Sequence, residues 1–289
     1  MNPHAKVLKA GPSPRGWHRL QQAAECMQKY AFGYEDPSYQ KPSMGNRPPL
    51  AKGSLVHLAL AQHYARIRAR QQGQDPDEWA APMDAVSVVA KMEKVESLIP
   101  IVEDTLDAYE RNFIHDETHW KVLEIEQLNE IWLGGKYRLT GRMDLIIETD
   151  GGQVFCVDHK TTGRATRNHA NYYAVSGQLM GYSRMIQEKY KERFAGMIVN
   201  LIQLADSAAP KFERIHLGRS PAMESRFEQS VVDIEENIER LKASGREFDN
   251  WPKALNELTC YSRYGACEFI EKCRFGTQRS HHGNWEWGM

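Results

Sequence analysis

"GRMDLIIETDGGQVFCVDHKTT", residues 141–162, decides the fold. It contains two apolar runs separated by Asp150-Gly151-Gly152, a good hairpin connection, and each run carries an aspartate where an ordinary strand would carry valine. Upstream, "VLEIEQLNEIWL" and "YRLTGRMDLIIET" meet at Gly134-Gly135, so a three-strand meander is predicted. Downstream come a helix from about 173 to 190, two more strands in "AGMIVNLIQLA" and "KFERIHL", and a strongly helical "PAMESRFEQSVVDIEENIERLKAS". Ahead of the meander, Ser13-Pro14 opens a helix through "RGWHRLQQAAECMQKYAFGY", followed by the loop "EDPSYQKPSMGNRPP". A second helix fits "LAKGSLVHLALAQHYARIRARQQ", with Leu55, Leu58 and Ala59 on one face, and residues 84–115 read as one long helix. This order predicts an α/β fold in a single domain over 1–289. Residues 1–118 form its helical part, 119–218 its sheet core, and 219–289 a helix and a cysteine-bearing segment.

With 289 residues, 41% hydrophobic and 26% charged, the chain has a globular composition and no apolar run long enough for a bilayer. Its start lacks the apolar core of a signal peptide, which predicts a cytoplasmic protein of a prokaryotic cell or a phage-infected host. Thirty-seven Lys and Arg balance 38 Asp and Glu, so bulk charge does not advertise a polyanionic partner. Such a partner would need a local basic groove or bound metal.

Asp144 and Asp158 adjoin runs that should be buried, where a lone carboxylate is costly unless paired or bound to a cation. On neighbouring hairpin strands the two can form an oxygen-ligand site for a divalent metal. Lys160, two residues past Asp158, projects to the same side of its strand. Carboxylates that hold Mg²⁺ or Mn²⁺ beside a lysine suit phosphodiester hydrolysis: the ion polarises phosphate and activates water, and the lysine stabilises developing charge.

Asp144 followed by Asp158-His159-Lys160 resembles the core of the PD-(D/E)XK nuclease superfamily, and the glycine of "GRMD" with the threonines of "DHKTT" resembles its RecB-like branch. The surrounding elements occur in that branch's order. "GSLVH" supplies Gly53 and His57, and "QLMGY" supplies Gln178 and Tyr182 at a helical spacing of four. The resemblance implies a restriction-endonuclease-like core, a central mixed sheet flanked by helices, with an N-terminal helical elaboration. It implies His57, Asp144, Asp158 and the backbone carbonyl of His159 as metal ligands, Lys160 as catalytic lysine, and Gln178 and Tyr182 as groove support. Glu126 in "EIEQ" resembles an acidic position often found there and is left outside the ligand set.

Cys26, Cys156, Cys260, Cys267 and Cys273 are too few for a disulfide framework in a reducing compartment. Cys156, between Phe155 and Val157, reads as a small buried hydrophobe. One distant N-terminal cysteine with three near the C-terminus resembles the iron–sulfur staple of AddB-type and CRISPR-associated nucleases. That resemblance implies a [4Fe–4S] cluster on Cys26, Cys260, Cys267 and Cys273, tethering the C-terminal segment; a Zn²⁺ site and free thiols are the alternatives.

Arg138, Arg142, Arg164, Arg167 and His169, with Tyr172 and Tyr173, cluster in sequence near the proposed site, as basic and aromatic residues do in a single-strand groove. Arg66, Arg68 and Arg70 in "RIRAR" suit either DNA contact or simple solvation. The expectation is therefore a metal-dependent deoxyribonuclease acting on DNA ends or single strands, in recombination, repair or phage/CRISPR-type processing. No "GxxxxGK[ST]" loop is present, so any helicase would be a separate partner, as would another recombination protein. A non-cleaving DNA-binding subunit with the same fold, or a zinc-dependent binding module, are the rival readings.

Overall fold

The alternation of period-two and helical segments is realised in a computed structural model that describes residues 5–8, 13–39, 48–164, 166, 168–205, 208–262 and 265–276. In chain order the elements are α1 (Trp17–Glu25), α2 (Met27–Tyr30), α3 (Pro48–Gln71), α4 (Pro82–Glu93), α5 (Ile99–Asn112) and α6 (Asp116–His119). Strands β1 (Trp120–Leu133), β2 (Tyr137–Thr149) and β3 (Val154–Thr162) follow, then α7 (His169–Ala174) and α8 (Gly177–Tyr190). The chain continues through β4 (Phe194–Ala205), β5 (Ala208–Leu217) and α9 (Pro221–Ala243). It closes with α10 (Glu257–Cys260), a hairpin of β6 (Tyr261–Ser262) and β7 (Gly265–Ala266), and α11 (Ile270–Phe275).

The five strands form one mixed sheet in sequential order, antiparallel except for the β3–β4 pair. That parallel step requires a crossover, which α7 and α8 provide. Contacts divide the chain into two compact units. One comprises Met1–Trp17 and Pro42–Glu228 and holds the sheet; the other comprises His18–Lys41 and Gln229–Met289.

In the sheet unit, α3 lies against Val122 and Ile125 of β1, Leu145 and Ile147 of β2 and Val157 of β3. Leu55, Val56, Leu58, Ala59, Leu60 and Ala61 are all buried, so α3 is covered nearly all round instead of on the single face expected. Helices α4 and α5 cover its outer side through Val86, Val102 and Leu106. Each such side chain contributes roughly 1.5–3 kcal/mol on burial. Helix α8 contacts β1 to β4 and buries Leu179, Met185 and Ile186.

Two predicted helices are interrupted. The segment expected as one helix over 84–115 breaks at Lys94, whose φ of 59° is left-handed, and restarts with Pro100 in the first turn of α5. Proline lacks the N–H an interior turn needs but fits a first turn, so Pro100 marks where the second helix begins. The first predicted helix breaks at Cys26, an extended residue with φ −166° whose sulfur accepts from the Lys29 amide at 3.4 Å and caps α2. Among the described residues no helix is long and apolar enough to cross a membrane.

Candidate metal centre

The β2–β3 ladder runs from Glu148↔Val154 to Leu145↔Val157. The next opposed positions are the two aspartates. There the Asp144 carboxylate takes over the ladder's role, its Oδ2 accepting from the His159 amide at 2.7 Å. Strand β3 stays anchored on its other side, where His159 pairs with Asn200 of the parallel β4. The apolar runs thus fix both strands, and the acids sit where the pairing opens.

His57 reaches this point from α3, its Nδ1 3.4 Å from Asp144 Oδ2. Gly53, one turn earlier, is required by the approach of the helix: a Cβ there would stand 2.8 Å from Thr161 Oγ1. Glu126 completes the group from β1. Its neighbours pair as Ile125↔Leu145 and Gln127↔Met143, and its own φ of 50° is left-handed. It is only 7% exposed, and one ligand atom each of His57, Glu126 and Asp144 lie within 4.8 Å of one another. Sequence reading left Glu126 outside the ligand set. Its acidic position in "EIEQ" was the available signal; the left-handed turn that aims it inward is not visible in residue types.

Asp158, 2% exposed, pairs with Lys160 Nζ at 2.6 Å. The lysine also donates to Gln178 Oε1 at 3.1 Å, and Gln178 Nε2 donates to Tyr182 Oη at 3.1 Å. Gln178 and Tyr182, four residues apart on α8, therefore hold the lysine's ammonium. The Tyr182 ring lies where a Cβ on Gly141 would meet it at 2.7 Å, which explains the glycine of "GRMD".

The electrostatics are those of a crowded acidic site. Burial pushes Glu126 up to about 8, and the Asp144 charge adds to the effect. Burial also opposes ionisation of Asp144, yet His57 beside it overrides that and holds the carboxyl below the usual range. His57 is raised in turn: burial works against its charge and Asp144 outweighs it. Asp158 is raised chiefly by burial, with Lys160 opposing the rise. Lys160 is raised because Asp158 and Asp144 outweigh its own burial. Burial takes His159 down to about 3, a neutral imidazole. One imidazole with several carboxylate oxygens is the donor set that suits Mg²⁺ or Mn²⁺, and a divalent cation would offset both the burial and the Asp144 charge that raise Glu126.

The arginines are distributed differently from the expectation. Arg142 donates to the Glu126 carbonyl at 2.7 Å and so braces the site's main chain. Arg138 pairs with Glu130. Arg164 is exposed just past β3, its amide held by Thr162 Oγ1 at 3.3 Å, and Arg167 lies outside the described residues. Within "RIRAR", Arg66 binds Asp77 and two carbonyls, and Arg70 grips Glu117 with two nitrogens. Those two are committed to protein partners instead of being simply solvated. His169 stacks on Tyr173, and Tyr172 stands 66% exposed beside it.

Cys156 is buried in the sheet, as expected of a small hydrophobe. Cys26, Cys260, Cys267 and Cys273 all belong to the second unit and are free, half-buried thiols. Cys26 Sγ accepts from the Ala254 amide at 3.3 Å, Cys273 Sγ donates to Gln28 Oε1 at 2.9 Å, and the Cys267 amide donates to the Cys260 carbonyl at 2.7 Å. Burial raises the Cys273 thiol, and its three fellow cysteines add to the rise. Among the described residues, however, no three of these sulfurs close to within 4.8 Å.

Known proteins bear on this arrangement in two ways. No curated protein is similar enough in sequence to count as a relative. Among solved structures, a candidate exonuclease from Eubacterium rectale superposes with a TM-score of 0.51 at 11% identity, over 95% of this chain and 90% of that one. This is a likeness of fold. A structure described only as SSO0001 reaches a TM-score of 0.31 at 16% identity, over 76% of this chain and 84% of that one, and carries no argument. The family model of the PD-(D/E)XK nuclease superfamily matches residues 17–274. With its mixed five-strand sheet and its acids at the opening of the β2–β3 ladder, the chain belongs to the PD-(D/E)XK nuclease superfamily.

Proposed function

We propose that the protein is a metal-dependent deoxyribonuclease of the RecB-like branch, cutting DNA from ends or in single strands. The observation that carries this reading is the meeting of His57, Glu126 and Asp144 within 4.8 Å, beside the Asp158–Lys160 pair. His57, Asp144, Glu126 and Asp158, with the His159 carbonyl, would hold Mg²⁺ or Mn²⁺, which when bound polarises the phosphate and supplies an activated water. Lys160, steered by Gln178 and Tyr182, places a cation beside the scissile phosphate. The four motif segments, "GSLVH", "GRMD", "DHK" and "QLMGY", come from four separate elements and meet in the same place, which supports the branch assignment. We read residues 1–289 as one nuclease domain, since the superfamily match spans parts of both units.

We infer a [4Fe–4S] cluster on Cys26, Cys260, Cys267 and Cys273 from the resemblance of their placement along the chain to the family's staple; all four fall in the second unit. A Zn²⁺ site on the same thiolates is the alternative, and metal analysis of anaerobically purified protein separates the two. A cytoplasmic setting and a separate helicase or recombination partner are consistent with this activity.

The test is cleavage of end-labelled single- and double-stranded DNA by anaerobically purified protein, with Mg²⁺, Mn²⁺ or EDTA. Cleavage that needs metal and disappears in Asp144→Ala is expected. DNA binding without cleavage under either metal would sink the enzyme reading and favour a non-cleaving subunit.

A further inference from the structure

The side chain of His159, the middle residue of "DHK", is buried at the end of a chain of polar side chains. His159 is 2% exposed and Asn200, its register partner on β4, is fully buried. Asn200 Nδ2 lies 2.7 Å from Tyr109 Oη and 2.9 Å from His159 Nδ1. Tyr109 Oη lies 2.8 Å from Tyr64 Oη, which donates to Asp116 Oδ2 at 2.7 Å, and Asp116 is gripped by Arg214. Five elements, α3, α5, α6, β4 and β5, supply these partners.

The directions of the hydrogen bonds follow from the carboxylate end. Asp116 accepts, so the Tyr64 proton is committed to it. Tyr109 must then give its own proton to Tyr64, which leaves its oxygen to accept from Asn200. The Asn200 amide nitrogen therefore faces both neighbours, and its second proton goes to His159 Nδ1. His159 is held as the Nε2–H tautomer. Its ring stacks on Tyr64 (centroids 6.1 Å, 14°) and meets the His57 ring edge-on at 5.9 Å. Its amide meanwhile donates to Asp144.

We propose that Asn200 is a positioning residue of the metal centre, acting through the His159 ring to fix both the His57 imidazole and the β3 main chain that carries Asp158 and Lys160. This rests on the metal-centre reading above. His57 is two-sided: Asp144 holds one edge, and the His159 ring limits its tilt. Groups that orient metal ligands in this way are commonly worth 10–100-fold in metal affinity.

The experiment uses full-length protein with ¹⁵N-labelled histidine. Long-range ¹H–¹⁵N spectra without metal read the His159 tautomer, assigned by loss of its signal in His159→Phe, and Mn²⁺ titration followed by EPR reads affinity. The parent should show His159 with unprotonated Nδ1. Asn200→Asp, which offers an acceptor in place of a donor, should move the proton to Nδ1 and weaken Mn²⁺ binding about 10–100-fold. Tyr109→Phe, which keeps the packing but removes the oxygen that Asn200 reaches, should weaken binding in the same direction and serves if the first variant does not fold. A parent-like tautomer and parent-like Mn²⁺ affinity in the variants would overturn the proposal. A parent that binds no Mn²⁺ would overturn the metal reading itself, an outcome told apart because the tautomer is measured without metal.

Discussion

Two regions of this molecule carry side chains of metal-binding type, and they hold them by opposite physics. In the sheet unit the donors are ionisable carboxylates and an imidazole, buried or half-buried, and the carboxylates are aimed inward by strands whose hydrogen bonds cannot slip without turning apolar faces outward. In the second unit the donors are thiols, neutral until a metal draws off their protons, held by a helix cap, a four-residue helix, a minimal hairpin and a short terminal helix. Gathering charge in a low-dielectric site costs free energy, so the acidic site must be built rigidly before any ion arrives. Gathering thiols costs little, and so little structure is needed to hold them. The acidic centre is a consequence of the fold, whereas a cluster on the thiols would be one of the causes of it.

The sharpest way to break that contrast is to remove one member from each region. Asp144→Ala or Lys160→Ala should lower DNA cleavage by about 10³-fold or more while leaving any iron content unchanged, measured by end-labelled cleavage and metal analysis. Cys273→Ser should do the reverse: loss of visible absorbance, and a melting temperature lower by about 5 °C, which corresponds to about 3 kcal/mol for a chain of this size. If Cys273→Ser keeps the parent's melting temperature, the thiols are not a structural tether.

Glu126 offers a subtler test. Its folded pKa is raised above its unfolded value, so folding takes up a proton between about 4.5 and 8. Its contribution is therefore fully present below about pH 4.5 and lost as pH rises through about 8. In EDTA the protein should be more stable at pH 5 than at pH 8, by on the order of 2 kcal/mol, and Glu126→Gln should flatten that slope. Mn²⁺ should stabilise the pH 8 protein most, since the ion takes the proton's place. Thermal melts with and without Mn²⁺ check the sign, and stability that rises from pH 5 to 8 in EDTA would refute it. The smallest effect expected is Gly141→Ala, about 1–3 kcal/mol lost by denaturant melt, because a Cβ would press on the Tyr182 ring.

Much of the site was legible because it lies in short segments with regular periods. Asp144, Asp158 and Lys160 were marked by charge at the ends of apolar runs, whereas His57, Gln178 and Tyr182 were singled out by the resemblance to the RecB-like branch. The residues that escaped share a different property. Glu126 is aimed by a left-handed main-chain turn within a strand, and Asn200 stands in "MIVNLIQLA" as a polar interruption whose partners, Tyr109 and His159, are 91 and 41 positions away. The arginines misled in the other direction. Arg66 and Arg70, left open between DNA contact and solvation, and Arg138, grouped with the proposed groove, are paired instead with Asp77, Glu117 and Glu130.

By itself, then, the sequence determined the order of strands and helices, the three-strand meander with its two acids, and the superfamily those acids mark. The elements and the acids follow from local periodicity, turn residues and the cost of burying a charge, which act over a few neighbouring positions; the superfamily follows from the resemblance of the motif that carries the acids. Only the tertiary structure decided that Glu126 joins His57 and Asp144, that Arg142 braces the main chain, and that His159 is locked from behind by Asn200. Those outcomes depend on strand register and on hydrogen-bond direction between residues remote along the chain, where each donor's orientation is set by what the next one accepts.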